Sequence, residues 1–224
     1  VVSATVGIAF FDLDKTLLAR NSGNLWIRSE LRGGHLRLRQ AVRGWGWLVG
    51  YHLGYTDIQP ILREAIRTLR DTPESAIAER THRFYEREVR QLVRPGAHAA
   101  LARHRAAGDR LVLLTTSSNY LSAHVAAQLE LDDYLCNRFE VRPDGSFTGE
   151  PQGELCYGAG KLVAARAYAA RHGIPLAACA FYTDSMSDLP VLEAVGTPVA
   201  VHPDPRLRRL AVARGWRIED WERG

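Results

Sequence analysis

Lysine is almost absent from this chain. Of its 29 basic residues only Lys15 and Lys161 are lysines. Arginine fills the other cationic positions, a bias of composition, so each lysine departs from the chain's habit; Lys15 reads as a solvated neighbour of the aspartates beside it, and Lys161 as a placed charge. Cysteine is scarce too. Cys136, Cys156 and Cys179 are odd in number, scattered and without metal-ligand spacing, which argues against a disulfide framework and reads as reduced thiols of a cytoplasmic protein. No apolar run reaches the length needed to cross a bilayer, which excludes an integral membrane segment. The N-terminus has no basic stretch before its apolar run and no processing site, so no signal peptide is expected. The net charge of +4 is modest and no base-reading motif goes with it, which speaks against a nucleic-acid partner. Internal repeats and low-complexity linkers are missing. Nothing in the chain marks an oligomeric state.

What is present fits a folded domain. The 224 residues suffice for one large domain or for a domain with a smaller insert, and 46% apolar with 24% charged residues is ordinary globular composition. The chain is organised around Phe10-Phe11-Asp12-Leu13-Asp14-Lys15-Thr16. An apolar run from Val6 to Phe11 reads as a buried strand and ends in two carboxylates one residue apart. Acids just outside the carboxyl end of such a strand stand where open α/β sheets bind ligands. A turn with solvated acids is the plainer alternative, but the rest of the chain supplies matching parts.

From about Ser22 to Val93 the pattern is helical. Ser22 can cap a helix through Leu25, Trp26 and Leu31 that Gly33-Gly34 would stop. His35 to Tyr55 reads as a longer helix loosened by Gly44, Gly46 and Gly50. Asp57 can cap a third, with Ile58, Ile61, Leu62, Ala65, Ile66 and Leu69 at helical spacing. Thr72-Pro73-Glu74 reads as a cap followed by proline at the first helical position. The pattern changes at Pro95-Gly96. Helices are expected at Ala97–Ala107, Tyr120–Leu129, Lys161–Arg171, Leu189–Ala194 and Leu207–Ala213. Strands are expected at Leu111–Leu114, Cys179–Tyr182 and Val199–Val201, and a hairpin turns at Pro143-Asp144-Gly145. Alternating strands and helices predict an α/β fold with a Rossmann-like, mostly parallel sheet. An all-helical cap interrupts it after the first strand. The expected domains are 1–19 with 94–224 as the core, and 20–93 as the cap.

Four clusters follow strand ends in order: Asp12/Asp14/Thr16, then Thr115, then Lys161 at a helix start, then Asp184-Ser185-Met186-Ser187-Asp188. This series of DxDxT, a strand-terminal hydroxyl, a lone lysine and DSxxD resembles the four motifs of the haloacid dehalogenase superfamily. The helical insert between the first two is similar to that of the subgroup containing phosphoserine phosphatase. The resemblance implies a phosphatase for a small phosphomonoester. Asp12 would be the nucleophile, forming an aspartyl-phosphate, and Asp14 the acid and base. Asp12, Asp184 and the main-chain carbonyl of Asp14 would hold Mg²⁺, a hard cation suited to oxygen donors. Thr115 would donate to a phosphoryl oxygen and Lys161 would neutralise the phosphorylated aspartate. Asp188 would hold metal-bound water or Lys161, and Ser187 stands where relatives often carry an asparagine that touches phosphate. Among the residues themselves, Thr116 or Ser117 could replace Thr115, Asp188 could be a helix N-cap, and Thr16 reads as structural, bonding the loop that holds Asp12. A phosphotransferase or mutase of the same superfamily and a non-catalytic phosphate-binding module are the alternative functions.

Two further patterns need a reading. Arg171-His172-Gly173 spells the signature of histidine phosphatases, but it ends an alanine-rich helix, where these residue types are common. The insert carries Arg28, Arg32, Arg37, Arg39 and Arg43 beside Trp26, Trp45 and Trp47, read as a solvated arginine face over an aromatic core. Phosphoserine phosphatases place a glutamate nine residues after the nucleophile to hold the substrate ammonium. Here that position is Asn21, next to Arg20, and both are expected to face the leaving group. A neutral amide disfavours phosphoserine and leaves histidinol phosphate, phosphocholine or a lipid head group open.

Overall fold

The computed structural model describes residues 6–35 and 59–222. Six strands form the main sheet: β1 (Ile8–Phe11), β2 (Arg110–Ser118), β3 (Asp133–Asn137), β6 (Cys179–Thr183), β7 (Thr197–Val201) and β8 (Arg217–Glu219). Their order is β3-β2-β1-β6-β7-β8, and every pairing is parallel. The remaining two, β4 (Phe139–Val141) and β5 (Phe147–Pro151), make an antiparallel hairpin around the expected turn. The four residues of β1 are at most 1% exposed, as a strand covered on both faces must be.

Period-two alternation divides the core. Ala9, Phe11, Leu111, Leu113, Tyr182 and Val199 face one cluster, packed against α4 (Pro95–Ala107) and α5 (Asn119–Gln128). Ile8, Phe10, Val112, Leu114, Phe181 and Ala200 face the other, covered by α6 (Ala159–Arg171), α7 (Leu189–Leu192) and α8 (Pro205–Arg214). The result is three layers, helix over sheet over helix. After β1 the chain builds β2 and β3 on one side and then crosses to β6 on the other. The strand order therefore reverses beside β1, which opens a crevice at its carboxyl end.

The insert supplies α1 (Ser22–Arg32), α2 (Gln59–Arg67) and α3 (Glu74–Phe84). Trp26 meets Phe84 edge-on at 5.2 Å, the described part of the expected aromatic core. The expected helix over His35–Tyr55 beyond its first residue, the Asp57 cap and residues Arg37, Arg39, Arg43, Trp45 and Trp47 lie outside the described residues. The two passages between core and insert are bonded together, with Ala19 N–H donating to the Leu92 carbonyl (2.8 Å) and Arg94 N–H to that of Leu17 (2.9 Å). The hairpin also joins the insert. Asp71 N–H donates to the Phe147 carbonyl and Phe147 N–H to that of Thr72, Glu74 N–H donates to the Gly145 carbonyl, and the Tyr120 hydroxyl reaches Glu74 at 2.8 Å.

Several expectations need correction. The cap of α1 is Asn21, not Ser22: its Oδ1 accepts from Asn24 N–H (2.9 Å), while Ser22 is the first helical residue. Pro73 stands at the N-cap of α3 with extended backbone rather than at the first helical position. Strand β2 runs on to Ser118. The strands β3 and β8 were not foreseen, because Asp133–Asn137 and Arg217–Glu219 sit at the sheet edges and mix polar with apolar residues. Arg171-His172-Gly173 ends α6 as expected, and the Arg171 guanidinium lies over the Tyr168 ring.

Gly160 lies beside Lys161 in the first turn of α6, where a Cβ would stand 2.0 Å from the Leu155 carbonyl oxygen. Helix propensity alone would make Gly160→Ala stabilising by ~1 kcal/mol. The backbone clash reverses the sign, and we expect a net loss of roughly 1–3 kcal/mol. Denaturant unfolding checks this, and a stabilised variant would show that the loop before α6 yields freely.

Candidate active site

Side chains from three strand ends and from the start of α6 converge in the crevice. The Asp12 N–H still pairs with the Tyr182 carbonyl at 2.9 Å, so the first acid is anchored at the tip of β1. The chain then turns tightly, with Lys15 at φ +58°. This is the left-handed region, uncommon for a residue with a side chain. Asp14 is thereby turned toward the start of the insert. Its Oδ1 accepts from Ser22 N–H at 2.7 Å and its Oδ2 from Asn21 Nδ2 at 3.3 Å. The carboxylate sits at the amino end of α1, where the helix dipole favours a negative charge. Asn21 thus uses its amide oxygen on α1 and its amide nitrogen on Asp14. Arg20 is exposed and lines a cavity of about 190 Å³ with Leu25, Arg87, Glu88, Gln91 and Leu92.

Lys161 enters from the amino end of α6 and is 3% exposed. Its Nζ donates to Asp12 Oδ1 at 2.7 Å and to Asp188 Oδ2 at 2.9 Å, above the Phe181 ring at 5.9 Å. Asp188 Oδ2 also accepts from the Thr183 hydroxyl at 2.7 Å, whereas Asp188 Oδ1 is buried with no partner among the described residues. Asp188 stands at the N-cap of α7 but makes no capping bond, so its carboxylate belongs to the site and not to the helix. Asp184 follows β6 directly and is 8% exposed. The Ser187 hydroxyl pairs with that of Ser185 at 2.9 Å. Thr115 is buried, and its Oγ1 accepts from Ser117 N–H at 3.1 Å, which leaves the hydroxyl proton to donate elsewhere. Thr116 is held through its carbonyl, which accepts from Asn137 Nδ2 at 2.6 Å. Thr16 departs from expectation: it is fully buried, and its hydroxyl bonds nothing among the described residues.

Three residues of this network were not read from the sequence. Thr183 orients Asp188, and its place before the acidic pair could have marked it. Asp204 accepts from Met186 N–H (2.7 Å) while capping α8, and so braces the 184–188 turn. Arg94 is buried at the base of the insert and donates from Nη2 to the Lys15 carbonyl at 3.3 Å. Both are distant in sequence from what they hold, and no local signal announces them.

The electrostatics are those of acids crowded out of water. Burial pushes Asp12 up to about 7, with the Lys161 ammonium opposing and Asp188 and Asp14 adding to the rise. Burial raises Asp14 too, against the bonds from Ser22. Burial and then Asp12 hold Asp184 well above the ordinary carboxylate range. Burial disfavours the Lys161 ammonium as well, but Asp12 and Asp188 outweigh it and keep it charged. Four aspartates therefore face the buried Lys161 and the nearby Lys15, an excess of negative charge that calls for a cation. Among the described residues no three His, Cys, Asp or Glu side chains form a ready cage. Two carboxylates with a main-chain carbonyl are instead the sparse oxygen set that suits Mg²⁺, which keeps several waters. The buried Asp188 Oδ1, which has no donor among the described residues, is an acceptor that such a water would satisfy. The residues present fit the metal.

A parallel sheet with its crevice beside β1, and two carboxylates bridged there by a buried lysine, define an enzyme with an α/β core and an acidic site at the sheet edge. A family model described as haloacid dehalogenase-like hydrolase matches residues 9–193. The chain belongs to that family. It is 33% identical to a phosphoserine phosphatase, SerB1, of Mycobacterium tuberculosis, over 95% of this chain and 70% of that one. It is 26% identical to a histidinol-phosphatase of Neisseria meningitidis, over 94% and 97% of the two chains. A solved structure of a protein of unknown function from Bordetella pertussis superposes with a TM-score of 0.87 at 30% identity, covering 97% of this chain and 99% of that one.

The raised Asp12 pKa, about 7 against 3.8 for an ordinary aspartate, has a consequence for stability. The folded state binds the proton more tightly than the unfolded one, so the ionised carboxylate costs stability in full above the folded pKa. The cost fades as pH falls toward 3.8. Asp12→Asn removes that burial cost but also takes from the buried Lys161 ammonium one of its two carboxylate partners, so no net stabilisation is expected at alkaline pH. The raised pKa predicts a trend: as pH rises through the range in which Asp12 ionises, wild type should lose stability relative to the variant. Thermal unfolding of both proteins across pH in metal-free buffer checks this, and a Tm difference independent of pH would contradict it.

Proposed function

We propose that this haloacid dehalogenase-type phosphatase hydrolyses a small phosphomonoester in two steps, with Mg²⁺ as cofactor and Asp12 as nucleophile. The observation that carries the reading is the buried Lys161 ammonium, shared between Asp12 Oδ1 and Asp188 Oδ2 at the carboxyl edge of the sheet. It fixes the Asp12 carboxylate and supplies positive charge where phosphoryl oxygens would gather. Asp12 attacks phosphorus in line, and the bond to the leaving oxygen breaks as Asp14 gives that oxygen its proton. Asp14 then takes a proton from the water that attacks the aspartyl-phosphate, releasing phosphate and restoring Asp12. A raised pKa at Asp14 suits a group that must hold a proton and then accept one. Thr115 and Thr116 border the phosphoryl site, Ser187 and Asp188 support it, and Lys161 stabilises the charge on the phosphorylated aspartate. When bound by Asp12, Asp184 and the Asp14 carbonyl, Mg²⁺ supplies charge neutralisation for the phosphate among these acids.

Residues 20–93 act in this reading as the cap that chooses the substrate. The relatives named for phosphoserine and histidinol phosphate support an amino-alcohol phosphate or a similar small ester. The Asn21 amide is already engaged by Asp14 and Asn24, and no carboxylate stands at that position for a substrate ammonium. Arg20, exposed and next to Asn21 in the chain, is the better candidate contact. Cys136, Cys156 and Cys179 are free thiols, which fits a cytoplasmic enzyme. No helix among the described residues is long and apolar enough to cross a membrane.

The test is hydrolysis of p-nitrophenyl phosphate with and without Mg²⁺. EDTA should silence the enzyme and Mg²⁺ restore it, and Asp184→Ala should raise the Mg²⁺ concentration required. Asp12→Asn should be inactive although folded, and turnover by that variant would reject the covalent route. A screen of metabolite phosphates would then identify the substrate class.

A further inference from the structure

Strand β2 is irregular where it reaches the site. Leu114 pairs with Leu135 and Ser118 with Asn137, so three residues of β2, Thr115, Thr116 and Ser117, stand opposite Cys136 alone. A bulge of this size re-aims side chains and takes main-chain groups out of the ladder. A buried carbonyl without a donor is costly, so the bulge needs a replacement partner. Asn137 provides it. It is 4% exposed, and its Nδ2 donates to the Thr116 carbonyl at 2.6 Å. Its Oδ1 faces the other way and accepts from the Cys156 N–H at 2.8 Å. Cys156 lies in the tight loop that delivers Lys161: Tyr157 N–H donates to the Leu155 carbonyl, Gly160 N–H to that of Tyr157, and Gly160 packs on Leu155. The Cys156 thiol bonds the Leu135 carbonyl at 3.6 Å and closes the loop onto β3.

We infer that Asn137 is a positioning residue of the active site: one buried amide that holds the hydroxyl-bearing bulge Thr115–Ser117 and the Lys161 loop at a fixed separation. The inference rests on the phosphatase reading above. The two segments are 40 residues apart in the chain and share no backbone ladder, so a rigid planar amide bonded at both ends is what sets one against the other. A phosphoryl group seated between the Thr115 hydroxyl and the Lys161 ammonium would feel any change in that spacing. Leu, Ala or Ser at position 137 could not bond both segments, and Gln would reach too far.

The experiment uses p-nitrophenyl phosphate turnover and inhibition by inorganic phosphate and orthovanadate, measured well below the unfolding temperature. Asn137→Ala should lower kcat by ~10- to 100-fold, the scale on which a misplacement of about 1 Å acts. Inhibition by both anions should weaken as well. Leu129→Ala, a buried change just past the end of α5 that lies away from the site, serves as the control for lost stability and should keep wild-type kcat and anion inhibition despite a lower Tm. If Asn137→Ala does not fold, Asn137→Asp carries the test. It keeps volume and the acceptor for Cys156 N–H, but presents a carboxylate to the Thr116 carbonyl. Wild-type kcat and anion inhibition in a folded Asn137 variant would overturn the inference. So would losses no larger than those of Leu129→Ala at matched Tm. If the phosphatase reading itself fails, wild type will be inactive or Asp12→Asn active, an outcome that leaves no phosphoryl site for Asn137 to position and overturns the inference with it.

Discussion

The ammonium of Lys161, buried between Asp12 and Asp188, is the interaction on which the rest of the site depends. An isolated charge at this depth would cost several kcal/mol, and breaking a buried pair by removing one partner is severe. The pair therefore fixes three elements at once: the tip of β1, the start of α6 and the turn before α7. Thr183 adds a second donor to Asp188, and the Phe181 ring lies near the ammonium. In a chain that otherwise uses arginine, a lysine is what this space admits. A compact ammonium can sit between two carboxylates, where a planar guanidinium needs more room.

The sheet makes that pair possible. Three parallel strands, β2, β1 and β6, bring their carboxyl ends to one edge of the sheet, and the reversal of strand order beside β1 leaves the space above that edge open. The functional groups then come from loops, each braced by a side chain that does no chemistry. Asp204 braces the 184–188 turn, Arg94 the loop after β1, and Asn137 the bulge at the end of β2. Each brace satisfies backbone groups that the irregular loop removed from regular pairing. That is the usual condition for irregular structure in a buried place.

The insert is tied to this chemistry at its first residues. Asp14 sits at the amino end of α1, so the proposed acid and base is also the carboxylate that the first helix of the insert faces. The 139–151 hairpin, drawn from the other half of the chain, bonds the 71–74 turn. The insert is thus held from two sides, at the paired passages 17–19 and 92–94 and at the hairpin.

Much of this was legible in the residues. The apolar run ending at Asp12, the strand-helix alternation after Pro95, the hairpin turn at Pro143-Asp144-Gly145 and the isolated Lys161 are local signals. They follow from period and side-chain chemistry, which a single strand or helix carries in itself. The sequence alone thereby determined the class of fold and the order of the chemical groups along the chain. Only the tertiary structure decided how those groups are held. Asn21 rather than Ser22 caps α1, because Ser22 N–H is directed at Asp14. The Thr16 hydroxyl is fully buried and bonds nothing among the described residues, a matter of how the turn around Lys15 packs and not of its own chemistry. Edge strands β3 and β8 exist because the sheet extends to them, not because their residues announce it. Asn137 and Asp204 act on segments far away in the chain, and a hydrogen bond between distant residues leaves no period or spacing in the sequence from which it could be read.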